Sequence, residues 1–140
     1  MNREIKFRAW DSDFKRWVEP ATIAVVSAGL MFYIDGRWKL DYEPTVRLMQ
    51  FTGLKDKKGK EVYEGDILRQ HWPNDRISLA RIYFNEDLAG FKARNIVTDD
   101  WTKEGLVAHL KEQRDNGYII SLSQDSEVIG NIYENPELLK

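Results

Sequence analysis

At 140 residues, 42% hydrophobic and 31% charged, the chain has the make-up of one ordinary globular domain, or two small modules sharing a core, and not that of a disordered or fibrous protein. It contains no cysteine, which removes disulfides, thiolate zinc sites and cysteine nucleophiles. A net charge of −2 gives no general pull toward nucleic acid, although 13 basic against 11 acidic residues up to Gln70, and 8 against 12 beyond it, permit a basic face on the first half. No apolar run approaches the ~20 residues of a membrane span, the longest being Thr22 to Ile34. The opening Met1-Asn2-Arg3-Glu4 lacks the form of a signal peptide, so the expected location is the cytoplasm and no membrane partner is expected.

Ile5 to Trp10 alternates, with Ile5, Phe7 and Ala9 on one face and Lys6, Arg8 and Trp10 on the other, which predicts a strand. Asp11-Ser12-Asp13 is a turn signal, and Lys15 to Val18 reads as the returning strand. Arg8, Trp10, Arg16 and Trp17 form the best basic-aromatic cluster of the chain. Such a face can stack bases and hold phosphates; cross-strand packing of Trp on Arg stems is the favoured account. Asp11 and Asp13 begin like a calcium loop, but Arg16 stands where its glycine belongs and Thr22 where its glutamate belongs. Beyond Pro20, Thr22 to Val26 is a β-branched strand and Ser27-Ala28-Gly29 a bend. Leu30 to Ile34 and Arg37 to Leu40 pair through the hairpin signal Asp35-Gly36, and Pro44 closes that hairpin.

Val46 to Thr52 alternates with apolar groups on both faces, predicting a covered strand that ends at Gly53. Asp56-Lys57-Lys58-Gly59 reverses the chain, Val62-Tyr63 resume the extended pattern, and Glu64-Gly65-Asp66 is a tight turn into the next strand. A phosphate loop does not fit, because the glycines at 53 and 59 are one residue too far apart and Glu61 occupies the metal-binding hydroxyl position. Lys55, Lys57, Lys58 and Lys60 are candidate loop contacts to phosphate. A solvated loop tip is favoured over that role by the interspersed Asp56, Glu61, Glu64 and Asp66. Those carboxylates are read as turn residues before general acids or metal ligands, since no His or third carboxylate keeps a recognisable spacing to them.

Strands are predicted at Ile67 to His71, ended by Trp72-Pro73-Asn74-Asp75, then at Ile77 to Phe84 and Gly90 to Val97. One helix is predicted over about 102–115, capped by Thr102, with Leu106, Val107 and Leu110 on its apolar side and Gly117 as its stop. Tyr118 to Leu122 and Val128 to Tyr133 are further strands, Gly130 marking a bulge or corner, and Asn135-Pro136 can start a last helical turn. Five short strands in this half suggest an SH3-like small barrel, with a mixed open sheet as the competing arrangement. The expected architecture is therefore mainly β: an N-terminal antiparallel hairpin module over 1–60 and an SH3-like module over 61–140, on one shared core. His71 and His109 lack a metal-binding spacing, and no GxSxG or GxGxxG element is present. No catalytic, metal or cofactor residues are assigned.

The runs IKFRAWD, LMQFTGLKDKKGKEVYEGDIL and EVIGNIYENPELL, with Trp17 shortly after the first, resemble the YopX family of phage and prophage proteins. The resemblance implies a mainly β protein encoded by bacterial viruses or their integrated remnants, and implies no particular activity. The expected function is a non-catalytic β module that binds a host or phage protein or assembles with itself. The rivals are nucleic-acid binding through the basic-aromatic face, and a small hydrolase or nuclease using Asp56, Glu64 and Asp66.

Overall fold

A computed structural model of the chain describes residues 4–18, 22–34, 36–41, 45–72, 76–96, 118–119 and 126–139. It divides into two units, Met1–Phe51 and Thr52–Lys140. The regular structure of the described residues is almost entirely antiparallel strand, so the chain is mainly β. The helix expected over about 102–115 lies outside the described residues.

In the first unit β1 (Phe7–Asp11), β2 (Arg16–Val18), β3 (Ile23–Val26), β4 (Gly29–Ile34) and β5 (Arg37–Asp41) lead into β6 (Val46–Lys55). β1 lies between β2 and β6, and β4 between β3 and β5. Pairing of Ala9 with both Val18 and Leu48, and of Asp11 with Val46, puts the small and branched residues of these strands on one face. That face meets Phe32 and Ile23 of the other sheet, and Ala9, Val18, Phe32 and Val46 form the buried core of this unit. Each large apolar side chain removed from water here contributes about 1.5–3 kcal/mol.

The predicted end of β6 at Gly53 is not where the strand stops, for β6 continues to Lys55. Gly53 takes φ 87° inside the strand, a left-handed value that only glycine adopts without strain. Thr52 holds this kink from both sides: its hydroxyl donates to the Val62 carbonyl at 2.8 Å and accepts from Leu54 N–H at 3.2 Å.

In the second unit β7 (Glu61–Tyr63) follows the end of β6. Then β8 (Asp66–Trp72), β9 (Arg76–Asn85), β10 (Gly90–Ile96), β11 (Tyr118–Ile119) and β12 (Ser126–Asn131) form one five-stranded sheet in the order β11-β10-β9-β8-β12. The pairing that would close it into an SH3-like barrel is not among those of the described residues. Register sets Val128, Leu68 and Ala80 in one row and Ile82 against Ala93 in another. With Val62 these are the buried core of the unit.

Gly130 sits at the expected irregularity, where the β12–β8 register slips between Val128 and Gly130. A Cβ there would stand 2.7 Å from Asn135 Oδ1 and 2.9 Å from Leu138 Cδ1. Asn135 is not free to yield, because Oδ1 accepts from Asn131 N–H at 3.2 Å and its own N–H donates to the Asn131 carbonyl at 2.7 Å. Gly130→Ala will therefore destabilise the fold by about 1–3 kcal/mol, as overpacking does, read from the urea midpoint.

Candidate binding surfaces

The lysine-rich turn after β6 is built around one carboxylate. Asp56, only 7% exposed, accepts from Lys58 and Lys60 N–H on Oδ1 at 2.8 and 2.9 Å, and from Val128 N–H on Oδ2 at 2.9 Å. Gly59 completes the reversal with φ 79°, and Lys57 N–H donates to the Ser126 carbonyl at 3.0 Å. The loop is thus clamped onto β12. Burial opposes the charged form of Asp56, but the amides of Val128, Lys60 and Lys58 outweigh it and hold the carboxyl below its ordinary value.

The four lysines are not equivalent. Lys58 Nζ lies 2.6 Å and Lys57 Nζ 3.8 Å from the carboxylate of Glu127. The hydrogen bond to Glu127 raises the Lys58 ammonium, and the same bond lowers Glu127. Lys55 and Lys60 are exposed and make no ion pair among the described residues. Half of the expected phosphate contacts are therefore matched by an acid on the neighbouring strand.

The tight turn that follows repeats the pattern. Asp66, 1% exposed, accepts from Tyr63 N–H at 2.8 Å and from Asn131 Nδ2 at 3.2 Å. Asn131 Oδ1 accepts from Tyr133 N–H at 3.0 Å, while Gly65 donates to the Ile82 carbonyl and accepts from Ile132 N–H. Asp56 and Asp66 thus tie the turns on either side of β7 to β12 and the turn after it. No group of three or more His, Asp or Glu suited to a metal ion occurs among the described residues.

Of the basic-aromatic set, the fold brings three residues together. Trp10 and Trp17 are directly cross-strand with rings edge to face at 5.0 Å, and the Arg8 guanidinium lies 4.3 Å from the Trp17 ring centre. Trp10 is only 7% exposed, and Met49, opposite Arg8, is buried. Arg16 is separated from them, since it pairs with Asp11 and so falls on the other face of the sheet. There its Nε lies 3.6 Å from Asp11 Oδ2, and its guanidinium 5.1 Å from the Phe14 ring centre.

A surface that the sequence pattern did not single out lies on the three-stranded sheet. Register places Ala24, Val26, Met31, Tyr33, Trp38 and Leu40 on the face turned away from Phe32. Tyr33 and Trp38 are directly cross-strand, edge to face at 5.6 Å, and 44% and 50% exposed. The alternation of Trp38 and Leu40 with charges was visible in the sequence; that the apolar side faces solvent was not.

These features define an antiparallel β protein of two units, with Asp56 and Asp66 engaged by backbone and an aromatic pair on an open sheet face. The family model described as YopX protein matches residues 6–140, and the chain belongs to the YopX family. The crystal structure of protein EF1440 from Enterococcus faecalis is similar, with a TM-score of 0.61 and 27% identity over 99% of this chain and 100% of that one. A search of curated proteins returned no match.

Proposed function

We propose that this protein, phage- or prophage-encoded and working in the cytoplasm of its bacterial host, is a non-catalytic β module that acts by protein association. A second copy of the chain is the occupant of its binding face. The observation that carries this reading is the outer face of the β3-β4-β5 sheet, on which no charged residue falls among the described residues and on which Tyr33 and Trp38, near the β4–β5 turn, are about half exposed. Exposed aromatic pairs of this kind are the residues that dominate association energies. Two such faces can stack as in a β-sandwich without matching charges, and a two-fold pairing uses the same patch on both copies.

The rival readings draw less support. A stacking platform for bases needs open aromatic faces, and Trp10 is buried while Arg8 covers Trp17. A carboxylate-dependent hydrolase needs free oxygens, and those of Asp56 accept from three backbone amides.

Size-exclusion chromatography with light scattering tests the proposal over a concentration series. The wild type should be a dimer at about 100 μM, and Trp38→Glu should weaken dimerisation by at least about thirtyfold with an unchanged circular dichroism spectrum. A wild type that stays monomeric throughout that range would contradict it.

A further inference from the structure

The first unit also contains a cleft of about 380 Å³, away from the outer sheet face and within the size range of small-ligand sites. Phe32 and Val46, both buried, supply its apolar floor. Arg16 and Lys39 supply cations from different strands, with Asp11 and Asp13 also on the lining. At the rim stands Phe14, which is 72% exposed, an unusual place for a large aromatic.

The turn that carries Phe14 is fixed. Asp11, 4% exposed, accepts from both Asp13 and Phe14 N–H at 3.1 Å, Ser12 N–H donates to the Thr45 carbonyl at 2.8 Å, and Lys15 takes φ 51°. A left-handed, non-glycine residue costs strain, which this turn bears while holding Phe14 in water. Both amides bond Asp11 Oδ1, and Oδ2 faces Arg16. Arg16 Nε makes a loose ion pair with Asp11 Oδ2 at 3.6 Å, from an exposed side chain, and Lys39 makes no ion pair among the described residues.

We propose that this cleft binds a short peptide segment of a partner protein, an apolar side chain resting against Phe14, Phe32 and Val46 and an adjacent carboxylate held by Arg16 and Lys39. A carboxylate suits the guanidinium fork and the nearby ammonium. A phosphate suits them less, because Asp11 and Asp13 balance the two cations of the lining and repel a second negative charge. This inference does not depend on dimerisation, since the cleft lies on the side of the sheet that carries Phe32 and the association face on the other.

The test is an NMR titration of the full ¹⁵N-labelled chain with capped dipeptides. Acetyl-Phe-Glu should shift the amides of Phe14, Arg16, Lys39 and Thr45 with a millimolar Kd, and acetyl-Phe-Gln should bind about tenfold more weakly. Arg16→Gln and Lys39→Gln, both at exposed positions, should each weaken acetyl-Phe-Glu binding by about tenfold. Equal binding of the Glu and Gln dipeptides, no shifts at the cleft, or tighter binding of inorganic phosphate than of acetyl-Phe-Glu would each overturn the proposal. A monomeric protein that still binds acetyl-Phe-Glu would sink the association reading alone.

Discussion

Asp56→Ala will lower the unfolding free energy by about 3–5 kcal/mol, because it strands several inward-facing donors at once. Lys58, Lys60 and Val128 N–H all lose their acceptor, and the loop loses its tie to β12. Asp56→Asn retains one oxygen but turns an NH₂ toward a backbone N–H, so it restores only part of the loss. The effect is pH-dependent with a definite sign. The Asp56 carboxyl is lowered relative to the unfolded chain despite its burial, so its contribution is fully present above about pH 4 and is lost as pH falls through its folded value. Glu127, lowered by its bond to Lys58, adds to the same acid limb, though it pairs at the surface and salt screens it. Urea unfolding at pH 7 and again at about pH 2.5 reads this directly: wild type and Asp56→Ala should differ most at neutral pH and converge in acid.

Asp66→Ala should cost about 2–4 kcal/mol for the same reason on a smaller scale. Its carboxylate is almost fully buried between Tyr63 N–H and Asn131 Nδ2, and neither donor has water to turn to. Asn131→Ala should be costly as well, since it releases Tyr133 N–H from its side-chain acceptor. The two substitutions should not add: a double-mutant cycle by urea denaturation is expected to give a coupling energy of about 1 kcal/mol. Full additivity would mean that the two turns are held independently.

Much of the fold is legible because period-2 alternation and turn chemistry agree. Arg37 to Leu40 returns against Leu30 to Ile34 as the Asp-Gly signal requires, and the Gly65 turn feeds β8 directly. The irregularity at Gly130 is legible for the same reason, a side chain being excluded there. The end of β6 is misread because Gly53 signals a stop, whereas the Thr52 hydroxyl keeps the chain extended through it.

The surfaces are harder to read. Alternation says which residues share a face of one strand, but register depends on turn length. The turn from Asp11 to Lys15 pairs Trp10 with Trp17 and so sends Arg16 to the opposite side. Likewise nothing local distinguishes the apolar side of β4 and β5 that packs on Ala9 from the one that faces water. That distinction arises only when Phe32 joins Val18 and Val46 and leaves Tyr33 outside. The carboxylates of the motif are visible as turn formers, but their long-range partners, Val128 and Asn131, are 65 or more residues away.

Hydrogen–deuterium exchange read by mass spectrometry, at a dilute and a concentrated sample of the same protein, tests the association face most directly. The expected result is added protection at high concentration in peptides covering β3, β4 and β5, with no change in the loop from Lys55 to Lys60. Identical exchange at both concentrations, or protection that appears in that loop and around Arg8 only when single-stranded DNA is added, would contradict it and move the function to the basic residues.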